Sequence, residues 1–258
     1  MRNDNRTKIN KLISQWPKGT VAATSYLEKQ GYSLSLLTRY KKSKWIQSFG
    51  RSAYKLFDDN IEWQGAIYTL QNQLKLNFHP GGKTALELKG HAHFLSRTKK
   101  IFLFGIRGQT ISTWFQAQKF GVEFIIAKTN LFPQGLTNSF SSYEFRDFSI
   151  KISSLERATM EMLYHVPTKV SFEEASLITE NMISLRPALV QNLLENCNSI
   201  KVKRLFMYLI EKHEHTWVPN INLSNVNFGE GKRSVVKKGK LNKKYNITVP
   251  IELNETVK

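Results

Sequence analysis

The first 60 residues are cut into pieces too short for anything but a small helical domain that ends in a hairpin. Ile9, Leu12, Ile13 and Trp16 recur at helical spacing, and Pro17 stops that helix because it lacks the N–H that the next turn would need. Gly19 opens a turn. A second short helix is expected over 24–30, with Tyr26 and Leu27 inward and Gly31 as its break. Ser33 then stands where its hydroxyl can accept a bond from a free first-turn N–H of a third helix, which runs to Lys42. Beyond it, Trp45-Ile46 and Tyr54-Lys55-Leu56 flank Ser48-Phe49-Gly50-Arg51-Ser52, a pattern that predicts a two-stranded hairpin turning near Gly50. Helix, helix, turn, helix, hairpin is the order of a winged helix-turn-helix domain. Asp58-Asp59-Asn60 marks its end, so domains are expected at 1–60 and 61–258.

The outer face of the third helix fixes what such a domain can bind. Leu34, Leu37 and Tyr40 are expected to pack inward, leaving Ser35, Leu36, Thr38, Arg39 and Lys42 outward. That set suits a major groove: Arg39 can pair bidentately with guanine, Ser35 and Thr38 can bond base edges, and Leu36 can touch a thymine methyl. Lys41, Lys42 and Lys44 lie toward the helix end, where phosphates are nearer than bases. Arg51 and Lys55 on the hairpin would reach the backbone or the minor groove. A helical domain with a solvated basic face is the competing explanation. Element order, the short Gly31 turn and the basic face agree on double-stranded DNA, and such agreement across levels is the stronger argument. The whole chain points the same way: 38 Lys and Arg against 20 Asp and Glu leave a formal charge of +18, a field that draws polyanions.

The larger remainder mixes strands and helices, which makes the chain α+β. A helix is expected over 61–74, buried strands over 100–105 and 122–127, and a third strand over 145–152. Ser153 and Glu156 form a capping box before Leu155, Ala158, Thr159, Met162 and Leu163, which line one face until Pro167. Ser171 and Glu174 repeat the pattern. Val202, Leu205, Phe206, Leu209 and Ile210 make an apolar stripe. Tyr245, Ile247, Val249, Ile251 and Leu253 alternate with polar residues as in a half-buried strand, and Pro250 assigns it to a sheet edge.

Chemistry is harder to find. His91-x-His93 and His213-x-His215 each offer two ligands, but no cysteine or carboxylate completes a set, so no metal is expected. Gly81-Gly82-Lys83-Thr84 is like the end of a phosphate loop without the earlier glycine, and reads as a turn before a helix. The capping box accounts for Glu156, and an exposed ion pair for Arg157. Glu123 and Lys128 fall on opposite faces of a strand. No Ser–His–Asp order is recognisable, so no catalytic residue and no cofactor is expected. The segment near the end is the exception: Lys232, Arg233, Lys237, Lys238, Lys240, Lys243 and Lys244 crowd together with no acid from Gly231 to Ile251. They fit a second phosphate-contacting patch, a docking surface for an acidic partner, or a solvated face.

Several stretches carry a resemblance. Trp16-Pro17-Lys18-Gly19-Thr20-Val21, Leu27-Glu28-Lys29-Gln30-Gly31, Tyr40-Lys41-Lys42-Ser43-Lys44-Trp45-Ile46 and Gly50-Arg51-Ser52-Ala53-Tyr54 resemble the N-terminal domain of AbiEi antitoxins of type IV toxin–antitoxin (abortive infection) pairs. Gly81-Gly82-Lys83-Thr84-Ala85-Leu86-Glu87-Leu88 and Ile152-Ser153-Ser154-Leu155-Glu156-Arg157-Ala158 resemble the family's C-terminal antitoxin domain. Lys44 and Ser52 stand where family members often carry Gly. The resemblance implies an autorepressor that neutralises a nucleotidyltransferase-like toxin. The alternative is a ligand- or partner-responsive transcriptional regulator without a toxin. Cys197 is the one cysteine, the polar start MRNDNRTK has no apolar signal region, and no run is long enough to span a bilayer. A cytoplasmic protein with no membrane association is therefore expected. No heptad offers a dimer seam, so a monomer that pairs on inverted repeats of operator DNA is expected.

Overall fold

The computed structural model describes residues 7–91, 99–237 and 239–251. Its first unit follows the expected order, with one strand added. Helix α1 (Lys8–Gln15) starts at Thr7, whose side chain accepts from the Asn10 N–H, and ends before Pro17. Strand β1 (Ala22–Ala23) leads into α2 (Thr24–Lys29). The turn at Gly31 returns the chain, with Tyr32 N–H bonded to the Leu27 carbonyl at 3.0 Å. Helix α3 (Leu34–Lys42) is capped by Ser33 as expected, its hydroxyl accepting from Leu36 N. Strands β2 (Ile46–Gly50) and β3 (Ala53–Leu56) form the hairpin, and β1 adds to it in the order β1-β3-β2. Two alanines carry no strand pattern, so β1 was invisible to alternation. Leu12, Trp16, Leu27, Leu37, Tyr40 and Ile46 make a core that lies wholly within this unit.

The larger unit begins with α4 (Trp63–Tyr68), which runs on into a π-helical turn at Thr69–Gln73. Then come β4 (His79–Pro80), α5 (Gly82–Leu88), β5 (Lys99–Gly105), α6 (Thr113–Ala117) and β6 (Val122–Lys128). The sheet order is β4-β5-β6, with β5 and β6 parallel. The segment 122–127, expected to be buried, is instead a partly exposed edge strand, because only β5 flanks it. The strand expected over 145–152 is the second arm of a separate hairpin, β7 (Phe140–Phe145) and β8 (Phe148–Ser153). The expected start at 145 is the last residue of β7, and the turn at Arg146-Asp147, with Arg146 at φ +51°, falls inside the expected strand.

Four helices follow: α7 (Leu155–Tyr164), α8 (Phe172–Glu180), α9 (Pro187–Asn196) and α10 (Ile200–Lys212). The α10 stripe is buried throughout, and Ser171 caps α8 through the Glu174 N–H at 3.0 Å. The cap of α7 is Ser154, one residue later than expected, because Ser153 still ends β8. Strands β9 (Arg233–Ser234), β10 (Lys240–Asn242) and β11 (Ile247–Val249) close the chain in the order β10-β11-β9. The strand expected to continue to Leu253 at a sheet edge is thus short and central. Pro250 lies just past its end, where no ladder bond is lost, Ile251 is exposed, and Leu253 is outside the described residues.

The two units are tightly joined. A Cβ on Gly65 would stand 1.7 Å from the Gly19 carbonyl oxygen, so only glycine lets α4 lie against that turn. Thr69 Oγ1 donates to the Val21 carbonyl at 2.6 Å, and Gln73 bonds both Val21 and Ala23. On the hairpin, Phe49 meets Trp114 and Phe120, each with centroids 6.1 Å apart, while Gln118 donates to the Phe49 carbonyl at 2.6 Å. One side of the wing is therefore covered by α6 and the loop after it.

Candidate nucleic-acid interface

The α3 face is open, with one exchange of roles. Leu37 and Tyr40 are buried, but Leu34 is 54% exposed and Leu36 is half-buried against the small core. At about 100° per residue the buried centre lies between Leu37 and Tyr40, with Leu36 about 70° to one side and Leu34 about 90° to the other. The small core takes Leu36. Leu34, expected inward, joins the outer surface, and Leu36, expected outward, gives part of its side chain to the interior. Ser35, Thr38, Arg39, Lys41 and Lys42 are exposed. Thr38 Oγ1 donates back to the Leu34 carbonyl at 2.9 Å, and Ser35 Oγ lies 3.0 Å from Ser33 Oγ.

Two cations occupy backbone turns or their edges. Lys44 has φ +55°, and its ammonium stands 5.9 Å over the exposed Phe57 ring. Ser52 has φ +60° at the hairpin tip, next to exposed Arg51. These are left-handed positions, where an L side chain costs about 1–2 kcal/mol relative to glycine. Lys55 is different: it is half-buried and its ammonium donates to the Asp59 carbonyl. Arg39, Lys41, Lys42 and Arg51 have no hydrogen bond or ion pair from their charged groups among the described residues. No acid occurs between Glu28 and Asp58.

The basic C-terminal segment is held from beneath. Arg204 is buried, and its guanidinium donates to the carbonyls of Phe228, Gly229, Gly231 and Asn246. Four carbonyls spend most of its five donors. Lys232, Arg233, Lys237, Lys240 and Lys243 are displayed at the surface, and Lys238 is outside the described residues. Lys244 pairs with Glu211 at 2.7 Å and lies 5.4 Å from the Tyr245 centroid.

A second polar group lies inside, and the sequence did not reveal it. Glu161 on α7 is fully buried. It accepts from Arg157 Nε at 2.7 Å, Ser153 Oγ at 2.6 Å and Gly82 N at 3.1 Å, and lies 3.1 Å from His79 Nε2. Burial alone would raise its carboxyl, but the neighbouring His79 and Arg157 and the bonds from His79 and Ser153 hold it down to about 2. Burial pushes the His79 imidazole down, so at neutral pH the standing cation is Arg157. A Cβ on Gly81 would meet Glu161 Oε2 at 2.1 Å, which explains the Gly81-Gly82 pair as a close approach of backbone to carboxylate. Arg157 is not the exposed ion pair expected of it: it is buried, and Arg157 Nη1 reaches Ser139 Oγ at 3.0 Å. Glu156 serves no capping box either, but takes Arg186 in a bidentate pair at 2.8 and 3.0 Å. The i, i+4 spacing of Arg157 and Glu161 was the available signal.

The second histidine pair is engaged with neighbours on α8. His213 Nε2 meets Ser176 Oγ at 3.2 Å and His215 Nε2 meets the Thr179 carbonyl at 2.8 Å. His93 is outside the described residues. Among the described residues no group of three His, Cys, Asp or Glu is placed to hold an ion, and no helix is long and apolar enough to cross a membrane.

Comparison with known proteins gives this arrangement a family. Residues 5–97 match the model described as transcriptional regulator, AbiEi antitoxin N-terminal domain. Residues 98–250 match the one described as transcriptional regulator, AbiEi antitoxin, type IV TA system. No curated protein matches the chain. Among solved structures, the crystal structure of RV2827C protein from Mycobacterium tuberculosis shares the fold, with a TM-score of 0.55 at 11% identity over 93% of this chain and 88% of that one. The chain belongs to the AbiEi antitoxin family of transcriptional regulators of type IV toxin–antitoxin systems.

Proposed function

We propose that the protein represses its own operon and neutralises a nucleotidyltransferase-like toxin. Residues 1–60 carry the DNA contacts, with Ser35, Thr38 and Arg39 at base edges in the major groove. Lys41, Lys42 and Lys44 reach phosphates, and Arg51 at the hairpin tip reaches the backbone or minor groove. Ser33 holds the start of α3. Residues 61–258 oppose the toxin. The protein works in the cytoplasm, as a monomer in solution that pairs on inverted repeats, and needs no cofactor.

The observation that carries this proposal is the α3 face. It is exposed and basic, the hairpin that follows it exposes Arg51 at its tip, and its cations are without acidic partners among the described residues. A face used only for solvation is ordinarily mixed with acids, and here none occurs across the whole helix and hairpin.

The test is fluorescence anisotropy of the full chain on the DNA preceding its own reading frame and on a scrambled duplex, with toxin rescue scored in cells. Tighter binding to the upstream DNA, lost in Arg39→Ala while rescue persists, is the expected result. Equal affinity for both duplexes, or loss of rescue with Arg39→Ala, would overturn the division of labour.

A further inference from the structure

A cavity of about 200 Å³ lies at the carboxyl ends of the parallel strands β5 and β6, against the start of β7. Ligands in open α/β sheets sit at this place, because strand ends leave a crevice there. Its rim includes the exposed Gln134 and Lys151, and its walls are of two kinds. Phe104, Phe132 and Phe140 supply rings. Arg157 and Lys151 supply charge: the guanidinium stands 4.4 Å from the Phe140 centroid and 4.8 Å from that of Phe132, and the Lys151 ammonium stands 4.8 Å from Phe140.

The charges do not balance. Among the described residues Glu161 is the sole carboxylate lining the cavity, and it is already met by Arg157, Ser153 and Gly82. Arg157 spends two of its five N–H donors on Glu161 and Ser139. The Lys151 ammonium has no hydrogen bond or ion pair among the described residues. Partial desolvation at the rim and the charge of Arg157 both favour loss of its proton.

We propose that this cavity binds a small aromatic carboxylate, its charged end between Lys151 and Arg157 and its ring among the three phenylalanines. Size supports one ring: an apolar cavity of about 150 Å³ accepts benzene, and drug-sized ligands occupy roughly 300–1,000 Å³. The room left beyond a ring is that of a carboxylate group.

The test is calorimetric titration of the full chain with benzoate, set against benzamide and inorganic phosphate, with a melting curve for each. Benzoate is expected to bind about tenfold more tightly than benzamide, which lacks the charge, and than phosphate, which lacks the ring. Lys151→Met should weaken benzoate by about tenfold while changing the ligand-free melting temperature little, since the Lys151 ammonium holds no hydrogen bond or ion pair among the described residues and only faces the Phe140 ring. Lys151→Glu should abolish the benzoate-induced rise in melting temperature. Absence of binding by benzoate at millimolar concentration, equal binding of benzamide, equal binding of phosphate, or full benzoate affinity in Lys151→Met would each overturn the proposal.

Discussion

Replacing Glu161 with Gln probes the polar interior between α7 and the Gly81-Gly82 turn. The carboxylate receives three donors, from Arg157, Ser153 and Gly82. An amide has one oxygen and two N–H groups, so at least one of those donors would face another donor. The Arg157 charge would also lose its buried counter-ion, and removing one member of such a pair costs roughly 3–5 kcal/mol. Proton linkage gives a similar size. The carboxyl lies at about 2 in the folded chain against an ordinary 4.5. At about 1.36 kcal/mol per pH unit that is about 3 kcal/mol. With about 2–4 °C per kcal/mol for a chain of this size, the melting temperature at neutral pH should fall by about 6–12 °C. The sign follows from the depressed value: the contribution is complete above 4.5 and is lost as pH falls toward 2. Circular-dichroism melts of the wild type and Glu161→Gln across that window should therefore converge. A difference below about 1 kcal/mol at neutral pH, or one that stays constant down to the acid end, would refute a paired, ionised Glu161.

Gly65→Ala forces a Cβ to 1.7 Å from the Gly19 carbonyl oxygen, a backbone atom that cannot swing away. It should cost about 1–3 kcal/mol or more in urea denaturation and raise hydrogen exchange at the Ala23 N–H, which donates to Gln73; unchanged stability would mean that the two units are not clamped there. Arg39→Ala should cost about 1–3 kcal/mol on the operator and relax one base position, and equal weakening on random DNA would reassign it to a phosphate. Charge reversal at Lys237, Lys240 and Lys243 separates the three roles of the basic segment. Phosphate contacts lower the log–log salt slope by about 0.9 each, toxin docking leaves DNA binding intact while rescue falls, and no change in either assay marks a solvated face. Arg204→Leu strands the carbonyls of Phe228, Gly229, Gly231 and Asn246, and should open the segment after α10 to hydrogen exchange well before global unfolding.

Local chemistry made the first unit legible. Pro17, Gly31 and Ser33 act on their own neighbours, so a helix stop, a turn and a cap can be read without knowing what packs where. The α10 stripe was legible for the same reason: a buried helix face repeats every few residues. The alternation from Tyr245 to Val249 marked a real strand, but the sheet position of that strand depends on its neighbours. Pro250 argues for an edge only if it lies within the ladder, and it lies one residue beyond.

The tertiary structure decided what depends on distant partners. Leu36 and Leu34 lie about 70° and 90° to opposite sides of the buried centre of α3, and the way that helix seats on the small core selects between them. In sequence Glu156 reads as part of a capping box and Arg157 as an exposed ion pair, yet Arg157 meets Glu161 beside residues 81–82 and Glu156 meets Arg186, some 30 residues along the chain. The wing's covered side comes from Trp114, Gln118 and Phe120, residues that no local pattern links to a hairpin at Phe49. Composition, spacing and breakers set elements and net charge, because these act within a few residues. Which charges are buried, which face is open and where a cavity remains are set by contacts between segments far apart in the chain, and only the folded chain brings those together.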